Sequence, residues 1–292
     1  MTEHDRIDEG GMSATARQRL KALDDQLAEA GAYLSYPTRH DPLQEEFHGP
    51  DPAKAIDEVL FSYATAQSCV LDWGCGAGFT LCRLARKARE VWGFDENARC
   101  IEAASLRAEC EGLENVRLVH GGAGDAQAIA QLPDSTFHLG LSRRGPNLLS
   151  SMLGKLKENA IWIQEIPRSM AGVNELLGRD KRLFLPHARG DESWIIDFYA
   201  GIGFAAVSVH TWFYEQYFRD VDHLAGYLNS ASYLDYRKYD PARDREALDL
   251  YAQYNMTDQG IRVARSRQLA VYRRLGDWPL PADNGPAGQA KQ

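Results

Sequence analysis

No stretch of these 292 residues approaches the ~18 consecutive apolar residues that a membrane-spanning helix needs. Basic residues are in the minority, with Lys+Arg 33 against Asp+Glu 41 and a formal charge of −8. A field of that sign does not attract nucleic acid or anionic membrane over the whole surface, so contact with either requires a local basic groove. Cysteine is scarce and confined: all five lie between Cys69 and Cys110, an odd count that fits buried thiols and excludes a disulfide framework. No Cys/His set has zinc spacing, and no metal site is expected. The opening MTEHDRIDEGG is acidic where a signal peptide is basic and then apolar. The chain is therefore expected to be soluble and cytoplasmic. A 44% hydrophobic content excludes intrinsic disorder and suffices for one large α/β domain or two small ones.

The polar first 12 residues read as a disordered tail. Leu20, Leu23, Leu27 and Ala30 recur at helical spacing, which predicts an amphipathic helix over 13–32. An irregular segment, 33–50, carries Tyr36, His40, Phe47 and His48, and a second helix follows to about Thr65. From Ser68 short apolar strands alternate with amphipathic helices, the pattern of βαβ units and a mainly parallel sheet. The strands are expected at 68–72, 91–95, 116–120, 137–142, 160–166, 205–211 and 268–273. The Tyr-rich stretch 212–267 reads as a helical insertion on the acceptor side of a domain over 67–276. The Pro/Gly-rich tail from Asp277 reads as loose.

The strongest chemical signal is V-L-D-W-G-C-G-A-G at 70–78, where an acid ends a strand and a glycine-dense turn opens a helix. Glycines let a backbone approach a ligand closely, and a helix start offers free N–H groups. The next strand ends at Asp95, where a carboxylate can accept from both hydroxyls of a ribose. Dinucleotide binding is the natural competitor. Its G-x-G-x-x-G/A fingerprint, begun at Gly74, needs a small residue where Phe79 stands. Asp72 would also oppose an incoming pyrophosphate, whereas a cationic sulfonium with an amino-acid tail suits that place.

With these motifs the sequence resembles the class I S-adenosylmethionine-dependent methyltransferases over roughly residues 53–275. The resemblance rests on 70–78, on G-F-D-E-N (93–97), on L-P-D-S-T-F-H-L-G-L-S (132–142), on L-K-E-N-A-I-W-I (156–163) and on G-I-G-F (201–204). It implies a Rossmann-like, doubly wound α/β sheet of seven strands with the last antiparallel, and S-adenosylmethionine as cofactor. It implies that Asp72, Gly74, Gly76 and Gly78 surround the methionine part and that Asp95 holds the ribose. Cys75, Glu96 and Ser142 border these positions and join the candidate cofactor site. An acid or amide after the third of the predicted strands contacts adenine in such proteins; here that position is Gly122 or, in a familiar Gly-Asp-Ala, Asp125.

The acceptor is expected at the carboxyl end of the strand that closes on Ser142. Arg143 and Arg144 follow it and either fork onto an anionic acceptor or pair with Glu165. Tyr36 is the candidate acceptor contact from the irregular segment. His138 and His48 are the candidate general bases. No Asn/Asp-Pro-Pro-aromatic motif follows that strand and no Pro-Cys pair exists, which argues against adenine amino methylation and against a cysteine adduct at pyrimidine C5. The expected activity is in-line methyl transfer to a small molecule. An RNA methyltransferase, using Arg143, Arg144 and the basic stretch 262–267, and a non-catalytic cofactor-binding protein are the alternatives.

Overall fold

Ala16, Leu23 and Leu27 form the buried stripe of helix α1 (Ala14–Glu29), within the span that their spacing predicts. This is a computed structural model, and it describes residues 14–29, 41–143, 145–167, 173, 198–230 and 239–276. Helix α2 (Pro52–Tyr63) begins where the Asp51 carboxylate accepts from the Ala53 N–H and Pro52 enters the first turn. Its Ile56 and Leu60 are fully buried.

The sheet contains β1 (Gln44–Phe47), β2 (Cys69–Trp73), β3 (Glu90–Asp95), β4 (Val116–His120), β5 (Phe137–Arg143), β6 (Leu156–Pro167), β7 (Phe204–Phe218), β8 (Met256–Thr257) and β9 (Gly260–Arg274). Their order is β1-β7-β9-β6-β5-β2-β3-β4, with β8 paired to β9. Strands β2 to β6 pair in parallel, and β9 runs antiparallel between β6 and β7. Helices α3 (Phe79–Ala85), α4 (Ala98–Cys110) and α5 (Ala126–Ala130) connect the parallel strands. Val70, Leu139, Leu141, Ile163 and Val271 pack on one face with Ile56 and Leu60 of α2 and Leu81 of α3. Leu71, Trp73, Phe94, Trp162 and Tyr272 build the core of the other. The expected seven strands with an antiparallel last one are therefore present, and two short strands, β1 and β8, are added.

Two expectations need correction. Residues 33–50 are not irregular throughout, because Gln44–Phe47 pairs with Phe213's neighbours Tyr214 to Tyr217 as the outermost strand. Nor is 212–267 a helical insertion alone. β7 and β9 run on past the last rung of β6, at Pro167↔Arg267, as a ribbon edged by β1 and extending about 20 Å further at ~3.3 Å per residue. Among the described residues of that stretch, only α6 (Val221–Ser230) and α7 (Pro241–Asn255) are helical. They cover the ribbon through Leu224, Tyr227, Leu228 and Leu248, packed on Phe218, Ile261 and Val263. The ribbon and its two helices stand on the carboxyl side of the parallel strands. No helix among the described residues is long and apolar enough to cross a membrane. Both termini, 1–12 and 277–292, lie outside the described residues.

Candidate functional site

The turn after β2 is shaped by three glycines in left-handed backbone, Gly74 (φ +83°), Gly76 (φ +54°) and Gly78 (φ +84°). Stacking of Trp73 on Phe94, at 4.3 Å between centroids, anchors the turn to β3. The Phe94 carbonyl accepts from both Gly74 N–H (2.8 Å) and Cys75 N–H (3.0 Å). Gly76 N–H donates to Asp95 Oδ2 at 2.9 Å, and Asn97 N–H to Asp95 Oδ1 at 2.9 Å. The Asp95 carboxylate is thereby fixed at the end of β3, facing the turn.

Asp72 is buried on the same sheet face as Val70, and its Oδ2 has no hydrogen-bond partner among the described residues. Burial pushes its carboxyl up to about 7; Arg143 opposes that shift and Asp95 adds to it. A ligand carrying positive charge would draw this carboxyl to the carboxylate.

The remaining cofactor candidates divide by what their side chains do. Cys75 points into the core beneath Gly93, and burial raises its thiol well above the usual range, so it acts as packing. Ser142 is fully buried and donates to the Pro146 carbonyl at 2.9 Å. That bond folds the loop after β5 back over the turn, where Pro146 and Gly145 would lie 3.2 and 3.3 Å from a Cβ on Gly74. Asp125 caps α5, its Oδ1 accepting from Gln127 and Ala128 N–H at 2.9 and 3.1 Å. Glu96 is exposed beside Gly122, its Oε2 3.9 Å from where a Cβ on that glycine would sit. Glu96 and Gly122 therefore border the same opening beyond β3 and β4.

The two histidines read as general bases are placed elsewhere. His138 opens β5, and its Nδ1 accepts from the Cys69 N–H at 3.1 Å. It lies at the amino edge, four residues or about 13 Å before Ser142 at the carboxyl edge. Burial, Lys157 and Arg89 lower its pKa, in keeping with a neutral ring that accepts. His48 follows the outermost strand, half-exposed, with Nε2 3.8 Å from Glu215 Oε1. Five strand spacings, about 24 Å, separate β1 from β2. Neither histidine reaches the turn. Tyr36, His40 and Arg144 lie outside the described residues.

Arg143 is also corrected. Its Nε donates to Glu165 Oε2 (3.0 Å) and its Nη1 to Asp57 Oδ1 (2.9 Å) and Thr80 Oγ1 (3.1 Å). Glu165, fully buried, receives Arg267 as well, at 2.7 Å from Nη2. Asp57 also pairs with Arg83 at 2.6 Å. Arg143 is thus an internal member of an ion-pair array joining α2, α3, β5, β6 and β9, and its fork is not presented to an anion. Asp57 carries no signal in the sequence, and Arg267, part of the basic stretch 262–267, is instead the partner of buried Glu165; each acquires its role only through a partner distant in sequence.

A family model described as a methyltransferase domain matches residues 65–171. A protein from Gloeobacter violaceus, described as an uncharacterized RNA methyltransferase, is 32% identical over 113 residues, covering 37% of this chain and 24% of that protein. The matched part thus spans about a quarter of that relative's length. Among solved structures, a functionally unknown protein from Deinococcus radiodurans R1 superposes with a TM-score of 0.56 at 20% identity, covering 87% of this chain and 100% of that one. A putative methyltransferase from Bacillus halodurans C-125 gives a TM-score of 0.54 at 17% identity, covering 78% and 100% respectively. At these identities the likeness to the solved structures is one of fold.

Proposed function

We propose that this chain, whose residues 65–171 match a methyltransferase domain, is a class I S-adenosylmethionine-dependent methyltransferase that methylates a small-molecule acceptor by in-line transfer. The observation that carries the reading is the left-handed glycine turn set between a buried, incompletely bonded Asp72 and a backbone-fixed Asp95. These residues fit the cofactor. Asp72 suits its positive charge, and a carboxylate held as Asp95 is suits a ribose diol. When bound, S-adenosylmethionine supplies a methyl group made electrophilic by the adjoining sulfonium. The chain's part is to hold acceptor and cofactor in line and to exclude water. The ribbon of β7 and β9, with α6 and α7 on it, provides a wall on the side where the acceptor would enter.

A small acceptor is favoured by the electrostatics of β9. Of its basic residues, Arg262 lies 3.3 Å from Glu215, Arg267 pairs with Glu165, and Arg265 sits 5.9 Å from the Tyr227 ring centre. Two of these three arginines, Arg262 and Arg267, are matched with acids, which lowers the positive field that a phosphate-tracking groove needs. The name of the Gloeobacter violaceus protein keeps RNA as the competing acceptor.

The test is to incubate the protein with methyl-labelled S-adenosylmethionine and a cell extract divided into metabolite, RNA and protein fractions. Label should enter the metabolite fraction. Label that enters RNA and is released by ribonuclease would establish the RNA reading instead. Cofactor binding with no transfer in any fraction would leave a binding protein without turnover.

A further inference from the structure

Arg107 on α4 connects three features that the sequence keeps apart. Its Nε donates to the Ala77 carbonyl at 3.0 Å, and its Nη2 meets both carboxylate oxygens of Asp24 on α1 at 2.9 and 3.0 Å. Its guanidinium carbon lies 3.8 Å from the centre of the Phe79 ring. Ala77 and Phe79 flank Gly78, where a Cβ would come within 2.8 Å of Ala104 Cβ on α4. Ala77 itself is buried in an apolar cluster with Leu23 and Leu27 of α1 and Cys100, Ala103 and Leu106 of α4. The second half of the glycine turn is therefore clamped between two helices. One belongs to the Rossmann-like core, and the other is the amino-terminal helix.

We propose that Arg107 is a positioning residue for the glycine turn and that α1, acting through Asp24, sets the affinity for the cofactor. The proposal rests on the cofactor reading above. The Arg107–Ala77 hydrogen bond fixes the peptide plane between Ala77 and Gly78, directly before the first turn of α3. With that plane fixed in advance, the ligand does not bear the ordering cost of the turn. Asp24 holds the guanidinium in the orientation that aims Nε at Ala77. Helix α1 is thus part of the cofactor site without touching the cofactor.

The full chain is titrated with S-adenosylhomocysteine by calorimetry, well below the melting temperature of each variant, with unliganded melting measured in parallel. Arg107→Lys keeps a charge for Asp24 but lacks the second donor that reaches the Ala77 carbonyl in the same geometry. It should weaken binding roughly tenfold, and Asp24→Asn by a similar factor. The double variant should bind no more weakly than Arg107→Lys alone, because Asp24 acts through Arg107. Amides 78–80 should exchange with solvent faster in both single variants. Arg19→Ala removes an exposed α1–α4 pair with Glu102 that does not touch the turn, and should leave affinity unchanged. Lower melting temperatures with unchanged affinity in both single variants would overturn the proposal and leave the pair as a staple only. A wild-type protein that does not bind S-adenosylhomocysteine would overturn the cofactor reading itself, and this proposal with it.

Discussion

Glu165→Ala is expected to lower folding stability by about 3–5 kcal/mol, measured by chemical denaturation. Glu165 is fully buried and is the shared partner of two arginines, accepting from Arg143 Nε at 3.0 Å and from Arg267 Nε and Nη2 at 3.1 and 2.7 Å. Its removal leaves two guanidiniums in a desolvated setting, with Asp57 able to answer only the first. Glu165→Gln keeps the shape but loses the charge and should fall between wild type and Ala. Surface pairs give the contrast: Arg86→Ala removes a pair with Glu111 whose arginine is 61% exposed, and should cost under about 1 kcal/mol. A Glu165→Ala cost as small as that would show that the array does not hold the carboxyl ends of β5 and β6 to the middle of β9.

The second large effect is expected at Gly78. Its φ of +84° is costly for an L side chain, and an added Cβ would lie 2.8 Å from Ala104 Cβ and 2.9 Å from Ala104 Cα. Gly78→Ala must therefore strain the turn and displace α4 together. The two costs sum to roughly 2–4 kcal/mol. Binding of S-adenosylhomocysteine should weaken well beyond tenfold, because the displaced peptides belong to the turn proposed to hold the ligand. Gly112 separates the two contributions: it also has positive φ, +64°, but nothing lies within 4 Å of an added Cβ. Gly112→Ala should cost only the backbone strain, about 1 kcal/mol, and leave affinity intact. Equal stability losses in the two variants would mean that α4 yields freely and that close packing of the turn is not required.

The parts legible in the sequence are those set by neighbours in the chain. Asp72, the three glycines and Asp95 lie in one strand–turn–helix–strand unit, so residue type and spacing suffice to place them. The parallel strands are equally local, being short apolar runs between helices of clear period. β1 was not legible because all four of its residues, QEEF, are exposed, and only pairing with β7 makes them a strand. The ribbon was missed for a related reason. Beyond Thr211 the alternation that marks a strand is supplied by aromatic and polar residues such as Tyr214 and Gln216, whose partners Phe47 and Glu45 on β1 are distant in sequence. His138 illustrates the reverse error. A histidine in a motif-bearing strand invites a catalytic role, but position along that strand decides which edge of the sheet it occupies. Arg143 had two possible fates in the sequence, anion fork or partner of Glu165, and the burial of Glu165 between two arginines decides for the second. Arg107 carried no signal at all, since its contacts lie 30 and 83 residues away.

The turn between Asp72 and Gly78, with Asp95, is proposed as a site for S-adenosylmethionine and not for a dinucleotide. Calorimetric titration of the wild type and of Asp95→Ala with S-adenosylhomocysteine and with NAD addresses this most directly. Asp95→Ala removes charge-assisted hydrogen bonds worth about 1.5–3 kcal/mol. The account predicts specific binding of S-adenosylhomocysteine to the wild type, much weaker binding of NAD, and at least about a tenfold loss for S-adenosylhomocysteine in the folded variant. NAD binding as tight as S-adenosylhomocysteine, or an affinity for S-adenosylhomocysteine indifferent to Asp95, would contradict it.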